Sequence, residues 1–174
     1  MPSDPALTRA YVDYARKTFT TCYKKVVHCL KQLSDEDVNW RPFVGANSVA
    51  NIVVHLCGNV GQWVVQGVGQ TPIERDRPGE FAQDLRATPG ELVERLTAAY
   101  EAADAAMAGV TADTILAPRK IQSYDETVLG AIFHAVSHFE GHTHQVVLMT
   151  RLRLGERYVF KWVPAGGEIS AKKA

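Results

Sequence analysis

Between Leu7 and Leu33 the residues Leu7, Tyr11, Tyr14, Ala15, Thr18, Phe19, Cys22, Val26, Cys29, Leu30 and Leu33 recur at spacings of three and four. That is the period of one face of an α-helix, held for about seven turns. A stripe of this length needs an equally long partner to cover it. The rest of the chain therefore has to be searched first for more helices.

The pattern predicts a first helix over Pro5 to Leu33, then a fresh cap and one short turn at Ser34-Asp35-Glu36-Asp37. Asn39-Trp40-Arg41-Pro42 should be extended, because a residue before proline avoids the helical region. Asn47 or Ser48 caps a second helix from about Val49 to Gln66, ended by Gly67, Gly69 and Pro72. Thr71 to Thr88 has no clear period and is expected to be a long loop. Thr88-Pro89-Gly90-Glu91 combines an N-cap, a proline in the first helical position and an acid three residues after the cap. It opens a third helix whose inward stripe is Leu92, Leu96, Ala99, Tyr100, Ala103 and Met107. Gly109 to Ser123 is a second irregular connection. Ser123 or Asp125 then starts a fourth helix that runs to about Leu154. Arg157 to Val163 alternates polar and apolar residues and is expected to be extended, with fraying from Ala165 on.

The expected fold is all-α: a four-helix bundle over about 5–155 with long connecting loops and a short extended C-terminal tail over 156–174, within one domain of 174 residues. Lys plus Arg and Asp plus Glu both number 19, so the net charge is zero and no basic face is set out for phosphates. Nucleic acid is therefore not an expected partner. No apolar run reaches the roughly 18 residues of a membrane span, and the amino terminus lacks a signal-like pattern, which leads us to expect a cytoplasmic protein. Cys22, Cys29 and Cys57 form no C-x-x-C pair and read as reduced, buried thiols. Trp40, Trp63 and Trp162 read as core and lid packing.

The stretch SHFEGHTHQV, beginning at Ser137, raises the question of a metal. At about 100° and 1.5 Å per residue, His138 and His142 lie about 40° apart and one turn along, so both can reach one ion. His144 lies about 200° round from His142 and points away. His134 pairs equally well with His138 but lies about 12 Å along the axis from His142. The competing pairs are thus His134 with His138 and His138 with His142, and Gly141 with Gln145 tilts the choice slightly toward the second. His55, on the buried stripe of the second helix, offers a third ligand; His28 sits at the edge of its stripe and ranks lower. A three-histidine set suits zinc or nickel first, with iron or manganese also compatible, and leaves a coordination position open. Glu140, two residues after His138, is misplaced for a zinc-protease base, and Cys57 lies about 200° from His55.

SVANIVVHLCGN followed by Trp63, the loop RDRPGEF and SHFEGHTHQV together resemble the DinB/YfiT-like superfamily of four-helix-bundle metalloenzymes, over most of residues 10–160. The nearest branch is one of unknown function with W-R-P, N-S-I-A-N and R-D-R-E-F segments. The resemblance implies that His55, His138 and His142 hold a divalent metal. Where relatives commonly read H-x-G-Q, this chain places His144 before Gln145. The resemblance also implies a homodimer, and a low-molecular-weight thiol such as bacillithiol or mycothiol as cofactor or small-molecule partner, transferred as a thiolate to an electrophile. Asn59, one turn beyond His55, and Gln145, three residues after His142, are candidates to orient ligands or substrate. Arg75, Asp76 and Arg77 either meet the carboxylate of a thiol cofactor or tie the long loop to the bundle, the second being favoured. The expected function is a metal-dependent enzyme, such as a thiol-dependent S-transferase. The alternatives are a non-catalytic, stress-associated metal-binding bundle and a metal-dependent hydrolase.

Overall fold

In the computed structural model, which describes residues 3–161, the protein is mostly helical, with one small two-stranded sheet. Four long helices dominate: α1 (Pro5–Leu30), α3 (Val49–Val60), α5 (Pro89–Ala108) and α6 (Val128–Leu154). Two short ones, α2 (Asp35–Asn39) and α4 (Arg77–Glu80), lie in the connections. The main packing runs α1 on α5, α5 on α3, α3 on α6 and α6 back on α1. Each long helix thereby packs against two others; on α1 the stripe is buried at Phe19, Cys22, Val26, Cys29 and Leu30, whereas Leu7 and Tyr14 stay exposed. Phe19, Leu30, Leu96, Met107, Ile132 and Phe139 are among the fully enclosed side chains.

The helix starts follow local chemistry. The Asp4 carboxylate accepts from the Ala6 and Leu7 amides at the head of α1. Reciprocal caps join Ser48 to Asn51 at α3 and Thr88 to Glu91 at α5, satisfying amides that have no partner within the helix. The first helix stops three residues short of the sequence expectation, because Gln32 and Leu33 donate to carbonyls only three residues back and tighten the last turn. The second long helix reaches Gln66 as expected, but its final stretch, Gly61–Gln66, is π-wound.

Two expectations are corrected. The 71–88 connection is not wholly irregular, since the Asp76 side chain caps α4 through the Gly79 amide. The fourth long helix does not begin at Ser123 or Asp125. Strands β1 (Pro118–Ile121) and β2 (Tyr124–Thr127) pair antiparallel there, with Lys120 opposite Asp125, and the Thr127 hydroxyl caps α6. The hairpin turns on Gln122 at φ +55°, a residue type that carries no turn signal in the sequence.

After α6 a short 3-10 turn (Gly155–Arg157) leads into an extended segment at 158–160, in keeping with the expected tail. Trp162, Val163 and the stretch from Ala165 on lie outside the described residues. All three cysteines are free and buried. Among the described residues no helix is long and apolar enough to cross a membrane.

Candidate metal centre

Helices α3 and α6 bring His55, His138 and His142 to one point, where a ligand nitrogen from each lies within 4.8 Å of the others. The ring centroids are 5.1, 5.1 and 4.5 Å apart, and each pair of rings is inclined by about 75°, a three-bladed arrangement. His55 Nε2 and His138 Nε2 face each other at 2.9 Å. His55 also packs on Phe81 at 4.9 Å.

The outer nitrogens decide the tautomers. A carboxylate can only accept, so His55 Nδ1–H donates to Glu80 Oε2 at 2.9 Å and leaves the Nε2 lone pair facing the cluster. In the same way His142 Nδ1–H donates to the Gln145 carbonyl oxygen at 2.6 Å. Two of the three rings are therefore pinned in the orientation a metal ligand requires. Burial, with His142, His55, His134 and Arg75 nearby, pushes the His138 pKa down to about 4. Burial also lowers that of His142, with Gln145 opposing and His55 assisting. Both rings are neutral at pH 7 and keep a free lone pair.

Glu80 is the residue that sequence reasoning missed. Its side chain is 3% exposed, and both oxygens accept from Arg75, Oε1 from Nε at 2.7 Å and Oε2 from Nη2 at 2.8 Å. Arg75 is itself buried and reaches on to the Gln62 side chain. Gly58, on the facing turn of α3, leaves room for this pair: a Cβ there would collide with Glu80 Oε1 and crowd Arg75 Nε. Three further side chains fix the loop that carries Glu80. Asn51 Nδ2 donates to the Glu80 and Ala82 carbonyls, Arg41 donates to those of Ala82 and Gln83, and Asp76 caps α4. The segments around Trp40-Arg41-Pro42, Asn47 to Asn51 and Arg75 to Phe81 thus converge on one structural task. The favoured reading of Arg75 and Asp76 as loop ties matches this geometry, and Arg77 lies over the Phe81 ring at 5.6 Å.

The other candidates separate clearly. His134 stacks on Trp63 at 3.7 Å and 20°, outside the cluster, so the His138 with His142 pairing is the one brought together. His144 is exposed on the other side of α6, and His28 Nε2 donates to the Val159 carbonyl at 2.7 Å. Asn59 is buried, and its Oδ1 has no partner among the described residues. Burial raises the Cys57 thiol to about 12, which makes it inert. Glu140 is exposed.

Two solved structures are similar to the chain in fold. A conserved protein from Enterococcus faecalis superposes with a TM-score of 0.67 at 15% identity, over 82% of this chain and 96% of that one. A DinB-like protein from Bacillus cereus ATCC 10987 gives 0.63 at 12% identity, over 78% and 88%. At such identities the likeness concerns the fold, which the chain shares with these two proteins, one of them DinB-like. The chain belongs to the family described as a protein of unknown function, DUF1572, whose model matches residues 6–167. No curated protein matches the sequence significantly.

Proposed function

We propose that this protein is a DinB-like four-helix bundle that binds one divalent metal through His55, His138 and His142, zinc or nickel first, and serves as a metal-dependent enzyme of the thiol S-transferase kind. The observation that carries the reading is the convergence of three imidazoles, two of them with Nε2 turned inward by fixed outer hydrogen bonds. The donor set fits the group: three nitrogens suit a borderline divalent ion and leave a further position for an exchangeable ligand. A divalent ion bound there would lower the pKa of a coordinated thiol or water and present it as a nucleophile.

The chain's own residues would hold and shape that site. Glu80 keeps His55 in one tautomer, and Arg75 holds the Glu80 side chain in place through two hydrogen bonds. Phe81 shields the His55 ring from water. Asn59 Oδ1, with no partner among the described residues, is available to accept a proton donor of an incoming ligand. Glu80 is committed to Arg75 and His55, and so is poorly placed to remove a proton from water. That favours a thiol, which ionises more readily, over hydrolysis.

The test is to load the protein with cobalt and titrate it with bacillithiol and mycothiol while following the visible absorption. The account expects a thiolate-to-metal band with one of them, and no band after His142→Ala. Cobalt bound by the three histidines with a spectrum indifferent to every thiol would instead support a non-catalytic metal-binding bundle.

A further inference from the structure

On the side of α6 away from the histidine cluster lies a cavity of about 600 Å³, between α1, α6 and the segment 158–161. Its apolar walls are Val147, Tyr158 and Phe160, and its cations are Lys24, Lys25 and Lys161. Among the described residues none that lines it is acidic, in a chain whose net charge is zero. None of the three lysines makes an ion pair among the described residues.

The wall formed by the segment is anchored. The Val159 amide donates to Gln32 Oε1 at 2.7 Å, while the Val159 carbonyl accepts from Gln32 Nε2 at 3.2 Å and from His28 Nε2 at 2.7 Å. Tyr158 and Phe160 meet edge to face at 5.0 Å, and Arg151 covers the Phe160 ring at 5.0 Å. The residues on either side of Val159 are therefore held as an aromatic wall. Lys161 lies close enough to Lys24 and Lys25 for their charges, after burial, to lower its pKa. Like charges gathered at the mouth of an apolar cavity repel one another until an anion joins them.

We propose that this cavity is a binding site for a small anionic amphiphile, a carboxylate of the fatty-acid type. Its apolar chain would lie against Val147, Tyr158 and Phe160, and its head group among Lys24, Lys25 and Lys161. The volume falls within the roughly 300–1,000 Å³ of ordinary small-molecule sites. The site is independent of the metal: it shares no residue with the histidine cluster.

Calorimetric titration of the full-length protein with decanoate, decanol and acetate tests the proposal. One equivalent of decanoate should bind, with decanol and acetate each weaker by about tenfold or more, since each lacks one half of the recognition. Reversing two exposed charges, Lys24→Glu with Lys161→Glu, should weaken decanoate about tenfold and leave the circular dichroism spectrum unchanged. Thr21→Trp, at an exposed position of the rim, should obstruct the cavity and weaken binding as well. Decanol binding as tightly as decanoate, binding unmoved by either variant, or no saturable binding would each overturn the proposal.

Discussion

At the scale of the residue, the groups that stand behind the histidines decide how firmly they can hold a metal. A carboxylate bonded to the far nitrogen of a ligating imidazole fixes its tautomer and raises its basicity, and losing such a partner costs roughly 10–100-fold in metal affinity. Glu80→Gln should therefore weaken zinc binding by about tenfold or more in a competition titration against a chromophoric chelator, while Gln145→Ala, at the exposed partner of His142, should have a smaller effect. His134→Ala, which removes a ring stacked on Trp63, should lower the melting temperature and leave metal stoichiometry at one. Gly58→Ala tests the space reserved for Glu80. The added methyl meets the Glu80 carboxylate and Arg75, so the variant should lose about 1–3 kcal/mol of stability in urea unfolding and bind zinc more weakly.

At the scale of the element, what the sequence made legible depended on how local the determining physics was. The starts of α3 and α5 could be read because Ser48 and Thr88 act on amides three residues away. The His138 and His142 pair could be read only as one of two, because helix geometry puts His134 and His138 on one face equally well. The buried stripe of the second helix offered His55 as a third ligand and family resemblance implied the set; in the fold a nitrogen of each of the three lies within 4.8 Å of the others. Glu80 escaped because its partner lies 25 residues away, across a connection with no period, and a lone Glu beside Gly79 carries no mark of its burial. The β1–β2 hairpin escaped because its strands are four residues each, mostly polar, and turn on a glutamine.

The same scale holds the link from α2 to α6, where Arg153 Nε donates to Asp37 Oδ1 at 2.6 Å. Burial works against the Asp37 charge, but the Ser34 amide and hydroxyl and the Arg153 guanidinium outweigh it and lower the pKa. A lowered folded pKa gives stability that is present above the ordinary value of 3.8 and is lost as the pH falls through the depressed one. Unfolding curves of wild type and Asp37→Asn should thus differ by a constant amount from neutrality down to about pH 5, with the variant less stable, and converge below about pH 4. A gap that persists unchanged into acid would assign the stability to packing and not to the charge.

At the scale of the whole molecule, the four long helices form a frame in which α3 and α6 face each other and present the histidines. Metal that binds the folded state and not the unfolded chain must raise the melting temperature. At a free concentration 100 times the dissociation constant the gain is about 2.7 kcal/mol, which for a chain of this size is about 5–10 °C. The most direct measurement is the metal content of the purified protein beside His138→Ala, by elemental analysis, with melting temperatures before and after chelation and zinc or nickel re-addition. The expected result is one equivalent of divalent metal in the wild type, a fall in melting temperature on chelation that re-addition reverses, and neither effect in the variant. A wild-type protein that takes up no zinc or nickel, and melts at the same temperature with or without them, would contradict it.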